Sequence, residues 1–266
     1  MGKIVIRRGF VDTPEGQIHY ATAGKGKPIL LLHQTPRSWK EYHEVLPLLG
    51  KKYWAIAMDT IGFGDSYQPD REGTIEEYAK GVTAFLTAMS IPRTSIVGHH
   101  TGGVIAIEVA ATYPEYVEKL VLSSTPYLDA EERERRKMQL PVDEVEPKED
   151  GSHLVELWQK RMGFYPKNRP DLLTRFVIDA LKLGERMYEG HQAVGRYRME
   201  DKVPLIKAPT LVLAGSEDPF AYPRMKVLAD HIRGSETAVM RDGRVPMIEQ
   251  MPGEFARVVM RFLDKR

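Results

Sequence analysis

The sequence predicts an α/β fold: a mostly parallel, doubly wound sheet with an inserted helical segment. Three observations lead to this prediction. Short apolar runs alternate with segments of helical periodicity up to about residue 125, which is typical of parallel strands joined by helices. From about Pro126 to Glu200 there is no buried-strand pattern, only helical periodicity and a charge run. The strand pattern then resumes, and the chain ends on a predicted helix.

The strand predictions depend on apolar runs bounded by turn residues. Two early strands flank a turn at Pro14, Glu15 and Gly16, so they are expected to pair. The run PILLLH is apolar throughout, as expected for a strand that is covered on both faces. The predicted strands are Lys3–Phe10, Gln17–Ala23, Pro28–His33, Tyr53–Asp59, Thr94–Val97, Val117–Ser123, Thr210–Ala214 and Glu236–Met240.

The helix predictions depend on apolar spacing and capping residues. Ser38 is expected to begin a helix over Ser38–Leu49 that ends at Gly50. Thr74 and Glu77 have the spacing of a capping box at the start of Thr74–Met89. Strongly apolar or amphipathic spacing predicts two further helices, Gly102–Tyr113 and Gly253–Leu263. The organisation expected from these elements is a core of residues 1–125 and 201–266 and a helical cap of residues 126–200.

The composition excludes several classes of protein. The 266 residues include 38 basic and 37 acidic side chains, so the net charge of +1 argues against a nucleic-acid or anionic-membrane binder. There is no apolar run of bilayer length and no signal-peptide pattern. With no cysteine, disulfides, thiolate metal sites and cysteine nucleophiles are excluded. We expect a cytoplasmic protein, a monomer or homodimer, that acts on a small molecule without a cofactor or metal.

Candidate functional residues follow the predicted parallel strands, because ligands bind beyond the carboxyl ends of such strands. The segments that follow the strands are His33–Pro36, Asp59 with Gly62–Ser66, Gly98–Gly103, Gly215–Pro219 and Gly243–Pro246.

These segments, in this order, resemble the α/β-hydrolase superfamily, in its capped, epoxide hydrolase- or esterase-like form. LLLHQTPRSWKEY is similar to the oxyanion loop, and DTIGFGDSYQP to the DxxGxGxS turn. Gly98-x-His100-x-Gly102 occupies the frame of the nucleophile elbow. The segment from Pro209 to Pro219 resembles the one that delivers the catalytic acid, and RDGRVPMIEQMPGEF resembles the closing segment. The resemblance covers nearly the whole chain.

The sequence departs from the superfamily at the residues that carry its chemistry. The resemblance implies Ser, Cys or Asp at the nucleophile position, where this chain has His100, and His at the base position, where it has Arg244. Asp218 retains the acid. A guanidinium stays charged and takes no proton, so a Ser-His-Asp mechanism is not expected.

The oxyanion loop also departs from the pattern, because Gln34 replaces its usual glycine. By the resemblance, the backbone N–H groups of Thr35 and Thr101 form the oxyanion hole.

Two functions are compatible with these residues. In the first, His100 acts as a general base, or as a nucleophile, on an ester, lactone or other carbonyl compound. The helix dipole and Arg244 would keep its imidazole neutral. Arg244 is then expected to pair with Asp218 or to bind a substrate anion. In the alternative, the protein kept the hydrolase pocket and only binds a ligand.

Other residues are predicted to have structural or surface roles. His33 is expected to support the oxyanion loop, His99 to pack, and Asp59 and Ser66 to stabilise a turn. The charge run Glu131–Lys137 is expected to be a solvated helix face. His153, His191, Arg196 and Arg198 of the cap are expected at the surface, with the pocket as the alternative for the histidines and an anionic substrate as the alternative for the arginines. The aromatic content of the cap suits an apolar roof over the pocket, but such spacing is more often ordinary core packing, and the sequence does not show which of these residues line the site. They are Trp158, Phe164, Tyr165, Phe176, Tyr188 and Tyr197.

Overall fold

The computed structural model describes residues 4–137 and 142–265. Its strands form one sheet in the order β1-β2-β4-β3-β5-β6-β7-β8, antiparallel at β1–β2 and β2–β4 and parallel elsewhere. The predicted fold class is therefore confirmed. The strands are β1 (Arg7–Thr13), β2 (Gly16–Ala23), β3 (Pro28–Leu32), β4 (Trp54–Met58), β5 (Thr94–His99), β6 (Val117–Ser123), β7 (Thr210–Gly215) and β8 (Glu236–Met240).

Helices cover both faces of this sheet. One buried cluster joins it to α2, α3 and the inserted helices, and a second joins it to α1, α9 and α10. The helices are α1 (Leu46–Leu49), α2 (Ile75–Ala88), α3 (Thr101–Thr112), α4 (Ala130–Lys137), α5 (Ser152–Met162), α6 (Pro170–Leu181), α7 (Glu189–Arg196), α8 (Met225–Asp230), α9 (Met247–Gln250) and α10 (Pro252–Leu263).

The first predicted strand is displaced toward the turn. β1 runs from Arg7 to Thr13, not from Lys3 to Phe10, and the first residue of that prediction lies outside the described residues. Pairing begins beside the turn, where Thr13 faces Gly16 and the Thr13 hydroxyl donates to the Gly16 carbonyl at 2.7 Å. A short turn fixes the register of a hairpin, so the strand extends to it.

The helix predicted over Ser38–Leu49 is wrong. A short 3₁₀ helix occupies Trp39–Tyr42, and α1 begins only at Leu46. Pro47 explains the break, because proline fits the first turn of a helix but disrupts its interior. The predicted ends hold nonetheless: the Ser38 hydroxyl accepts from the Lys40 N–H, and Gly50 follows α1. The capping box of Thr74 and Glu77 at the start of α2 is also confirmed.

Helices α4 to α7 lie between β6 and β7, so the insertion follows the sixth strand as expected. We retain residues 126–200 as a prediction for the limits of the cap. In the described part of the chain, no helix combines the length and the apolar character needed to cross a lipid bilayer.

Candidate functional site

His100 occupies a sharp turn between a strand and a helix. β5 ends at His99 and α3 begins at Thr101, so His100 connects them, with φ 46° and ψ −115°. An L-residue held in such a conformation costs roughly 1–3 kcal/mol, and strain of this kind is concentrated at functional sites. The turn presents one imidazole at the amino end of α3.

Two glycines allow this turn to form. A Cβ at Gly98 would overlap the carbonyl of Gly102, and a Cβ at Gly102 would overlap the carbonyl of Leu32. Both positions therefore require glycine for close backbone approach. This geometry supports the frame Gly98-x-His100-x-Gly102 that the sequence suggested.

Asp218 holds the imidazole of His100 from the loop after β7. Its Oδ2 lies 2.8 Å from His100 Nε2, and its Oδ1 accepts from the backbone N–H groups of Phe220 at 3.0 Å and Ala221 at 3.2 Å. Burial acts to raise the pKa of the Asp218 carboxyl, but His100 and the hydrogen bonds outweigh burial, so the pKa lies below its usual value. Asp218 is therefore a carboxylate.

A carboxylate only accepts hydrogen bonds, so the Nε2 of His100 is the nitrogen that carries the proton in this contact. In the neutral ring, Nδ1 then has the free lone pair. Among the described residues, no group forms a hydrogen bond with His100 Nδ1. The arrangement therefore provides an imidazole that can accept a proton and a carboxylate that stabilises the resulting cation.

Arg244 contacts groups other than Asp218 in the structure. Its Nη1 donates to the carbonyl of Gly163 at 3.2 Å, and its backbone N–H donates to the side chain of Gln250. Within residues 4–137 and 142–265, the ion pair of Asp218 is with His100, and Arg244 has none. The expected Arg244–Asp218 ion pair is therefore wrong. The charged group in contact with the imidazole is a carboxylate.

His99 packs beneath the turn, as predicted. Its Nε2 lies 3.0 Å from the carbonyl of Val245 and its Nδ1 lies 3.0 Å from Ser123 Oγ. Burial, with a smaller contribution from His100, lowers the pKa of His99 to about 3. The neutral ring donates to Val245 and accepts from Ser123, which joins β5, β6 and the closing segment below His100.

Hydrogen bonds with His33 and Glu41 support the segment that resembles the oxyanion loop. His33 Nδ1 lies 2.7 Å from the Gln34 carbonyl and its Nε2 accepts from the Thr60 N–H at 3.0 Å, which confirms its supporting role. The backbone N–H of Gln34 donates to Glu41 at 2.9 Å and its side-chain Nε2 donates to Glu41 at 2.5 Å.

Thr35 and Thr101 come together on the other side of this loop. Their hydroxyls lie 2.9 Å apart. In the described part of the chain, neither backbone N–H donates to a protein acceptor. The loop therefore leaves two donors available beside the turn that carries His100.

A cavity of about 390 Å³ lies over these groups, between the core and the insertion. Its lining combines the predicted residues with positively charged groups from the insertion. The lining residues are Gln34, His100, Thr101, Pro126, Leu128, Arg133, Arg136, Val142, Arg161, Tyr188, His191, Gln192, Val194, Gly195, Arg196, Phe220 and Val245. Of the predicted site residues, the structure brings His100, Asp218, Gln34, Thr35 and Thr101 together.

Comparison with known proteins supports the same conclusion as this geometry. The family described as alpha/beta hydrolase fold matches residues 27–243 of the chain. The chain belongs to the α/β-hydrolase family. The comparisons support a hydrolase that acts on a small molecule.

Curated relatives of this α/β hydrolase match over most of their length. The 2-hydroxy-6-oxo-6-(2'-aminophenyl)hexa-2,4-dienoic acid hydrolase of Metapseudomonas resinovorans is 27% identical over 97% of this chain and 91% of its own. Mouse (Mus musculus) serine hydrolase BPHL is 27% identical over 93% of this chain and 83% of its own. The enol-lactonase of Burkholderia xenovorans LB400 is similar in structure, with a TM-score of 0.82, 20% identity and coverage of 97% and 100%.

The prediction that Glu131–Lys137 is a solvated helix face holds for Glu131, Glu134 and Arg135, which are exposed, but not for Glu132, Arg133 and Arg136. This segment lies in α4, where Arg133 and Arg136 line the cavity of this α/β hydrolase and Glu132 is 4% exposed. Residues at i and i+3 share one face of a helix, so the spacing of the two arginines was a signal for a common direction. Nothing in the sequence indicated that this face would turn inward.

The cap aromatics are mainly packing residues, the more common of the two roles that the sequence left open. Of the six aromatic residues, only Tyr188 lines the cavity, and Phe176 and Tyr197 are buried in the core. Tyr197 donates to Glu108 at 2.7 Å. His191, predicted at the surface, lines the cavity, and so does Arg196.

A trio elsewhere has the composition of a metal site. Among the described residues, His19, Asp59 and Asp65 place one ligand atom each within 4.8 Å of one another. Protein groups already engage them: Asp59 accepts from the Trp39 and Asp65 N–H groups, and Asp65 is ion-paired with Arg8. The predicted turn-stabilising role of Asp59 is confirmed.

Proposed function

We propose that this α/β hydrolase cleaves a carbonyl compound, an ester or lactone, with His100 as general base. The observation that carries the proposal is the 2.8 Å contact between His100 and the carboxylate of Asp218, at a strained turn that lines a cavity. Maintaining a non-glycine residue at this turn costs stability. A carboxylate at Nε2 together with an Nδ1 that contacts no described protein group suits a histidine that accepts a proton.

In the proposed reaction, the Nδ1 of His100 takes a proton from a water molecule. The water oxygen forms a bond to the substrate carbonyl carbon, and the carbonyl π electrons move to the oxygen. The carbonyl then re-forms, the bond to the leaving group breaks, and the imidazolium returns its proton to the leaving oxygen. Asp218 stabilises the imidazolium between these steps.

The backbone N–H groups of Thr35 and Thr101 are the proposed donors to the oxyanion. Thr101 lines the cavity, and Thr35 lies behind it with the two hydroxyls 2.9 Å apart. A preorganised donor directed at developing negative charge contributes on the order of 3 kcal/mol in comparable sites. This contribution does not depend on a serine at the elbow, so the loop remains useful to a water-based mechanism.

A serine close to the site, Ser124, is not the nucleophile in this proposal. Ser124 contacts Asp218, but it is fully buried and does not line the cavity. Its hydroxyl accepts from the Gly215 N–H at 3.4 Å and contacts the sulfur of Met247. The elbow therefore carries an imidazole where the relatives named as serine hydrolases imply a hydroxyl.

The test is hydrolysis of a panel of esters and lactones by the wild type and by His100→Ala. The expected result is a loss of at least about 100-fold in kcat for His100→Ala, the range that positioned acid–base groups contribute. His43→Ala is the matched control, because His43 lies at the surface with its side chain 57% exposed. Equal turnover by wild type and His100→Ala would overturn the assignment. Binding of a panel member without turnover would favour the ligand-binding alternative.

A further inference from the structure

Four arginines of the insertion line the cavity opposite His100. They are Arg133 and Arg136 of α4, Arg161 of α5 and Arg196 of α7. Among the described lining residues there is no aspartate or glutamate. In a chain that is nearly neutral as a whole, this cavity wall presents guanidinium donors and no carboxylate acceptor to a ligand.

Each guanidinium is fixed from behind by a carboxylate that does not line the cavity. Glu200 accepts from two nitrogens of Arg133, at 2.6 and 2.5 Å. Glu132 accepts from Arg136 Nε at 2.8 Å, and Asp143 holds the Nε and Nη2 of Arg161. These contacts orient the side chains before a ligand arrives, which reduces the entropy lost on binding.

Donors remain available after these contacts. Arginine has five N–H donors, and among the described residues the Nη1 groups of Arg136 and Arg161 have no hydrogen-bond acceptor. Arg161 is 2% exposed and lies over the ring of Phe176, with its central carbon 4.4 Å from the ring centroid. A buried guanidinium that faces a cavity with unused donors is well suited to an anionic oxygen group.

Arg136 links this charge to the proposed catalytic group. Its Nη2 donates to the carbonyl of Phe220 at 3.3 Å, and the ring of Phe220 contacts that of His100 with centroids 6.5 Å apart. The backbone N–H of Phe220 also donates to Asp218. An anion at Arg136 would therefore lie within the same cavity as the imidazole.

We infer that the substrate carries an anionic oxygen group, a carboxylate or a phosphate, bound by the cavity face of Arg136 and Arg161 while its carbonyl lies beside His100. This inference rests on the proposed function for the position of the carbonyl, but the anion site itself can be tested without turnover.

The binding experiment uses His100→Ala, which removes the proposed base. Calorimetry measures glutarate, inorganic phosphate and the uncharged glutaramide as probes. We expect glutarate or phosphate to bind at least about tenfold more tightly than glutaramide, and the preference to disappear with Arg136→Gln. Arg135→Gln is the matched control, because Arg135 is on the same helix and bonds the same Glu132 but lies outside the cavity.

Equal binding of glutarate, phosphate and glutaramide would overturn the inference, as would equal losses with Arg136→Gln and Arg135→Gln. A phosphate preference would identify a phosphoryl group, and a glutarate preference a carboxylate.

The turnover experiment compares mono(p-nitrophenyl) glutarate with p-nitrophenyl butyrate. We expect Arg136→Gln to raise KM for the anionic ester about tenfold more than it raises KM for the neutral ester. Arginine-dependent anion binding without turnover would retain the anion site and remove the proposed catalysis. The anion site and the proposed catalysis can therefore be refuted independently of each other.

Discussion

Glu41 holds Gln34 at two points, accepting hydrogen bonds from its backbone N–H at 2.9 Å and from its side-chain Nε2 at 2.5 Å. Both residues are buried, so the loop that carries the proposed oxyanion donors is supported by an acidic side chain without solvent contact. Burial raises the pKa of Glu41 to about 7, with Arg37 lowering it and Glu249 raising it.

Because the folded pKa of Glu41 exceeds its ordinary value of 4.5, the folded protein binds this proton more tightly than the unfolded chain. The stability contributed by protonation is present below about pH 4.5 and is lost as the pH rises through about 7. We therefore expect wild type to lose roughly 3 kcal/mol relative to Glu41→Gln across this interval. Urea unfolding of both proteins at several pH values measures the difference. A difference independent of pH would contradict it.

Arg37 is expected to be the most destabilising charge to remove from this region. It is fully buried, its Nη1 and Nη2 donate to Glu249 at 2.7 and 3.0 Å, and its Nε donates to Asp179 on α6 at 3.0 Å. Arg37→Leu would leave Asp179 buried without its guanidinium partner and Glu249 with only its contact to Arg175, at a cost of about 3–5 kcal/mol in the free energy of unfolding.

Arg175→Gln is the control for this measurement. Arg175 lies 3.2 Å from the same Glu249, but its side chain is 34% exposed, so its loss should cost less than about 1 kcal/mol. Chemical denaturation of both variants gives the comparison. Equal losses would show that burial does not set the strength of these contacts.

Gly190 allows α7 to approach the oxyanion loop. A Cβ at this position would overlap Oγ1 of Thr35, whereas a Cβ at Gly195, also in α7, would meet nothing within 4 Å. Gly190→Ala is expected to destabilise the protein by about 1–3 kcal/mol and to lower kcat by displacing Thr35. Gly195→Ala is expected to stabilise the protein by about 0.5–1 kcal/mol. Thermal unfolding distinguishes them, and equal stabilisation of both variants would contradict this contact.

A conventional triad can be introduced into the elbow with two substitutions. The segment around position 244 lies next to the loop of Asp218 and to the turn of His100. The Glu217 N–H donates to the Gly243 carbonyl at 2.9 Å, and the Val245 carbonyl contacts His99. We expect His100→Ser combined with Arg244→His to hydrolyse p-nitrophenyl acetate with a burst of one product equivalent, the sign of an acyl-enzyme. His100→Ser alone is the control. A folded double variant no faster than this control would contradict the geometry.

Much of the fold and of the elbow was predictable because the signals are local. The frame of Gly98, His100 and Gly102 depends on backbone contacts within a few residues, and the segment that delivers Asp218 follows a buried strand. The elbow and the segment that delivers Asp218 each place a side chain at the carboxyl edge of the sheet, whatever the position of the rest of the chain.

The lining of the cavity was not predictable, because it depends on how the insertion packs. α4 has charged residues all around, so its sequence does not show which face turns inward. The position of Arg244 also depends on a distant group, the carbonyl of Gly163. Such contacts are set by tertiary packing, which periodicity does not report.

The imidazole at the elbow has a practical consequence for how this protein would be found. Organophosphorus reagents that label serine hydrolases form a bond to the hydroxyl oxygen of the serine at the elbow, the position that His100 occupies in this protein. His100 presents no hydroxyl there. An experiment that detects hydrolases by covalent labelling of the elbow serine would therefore not label this protein. Detection would need a substrate or a reversible ligand.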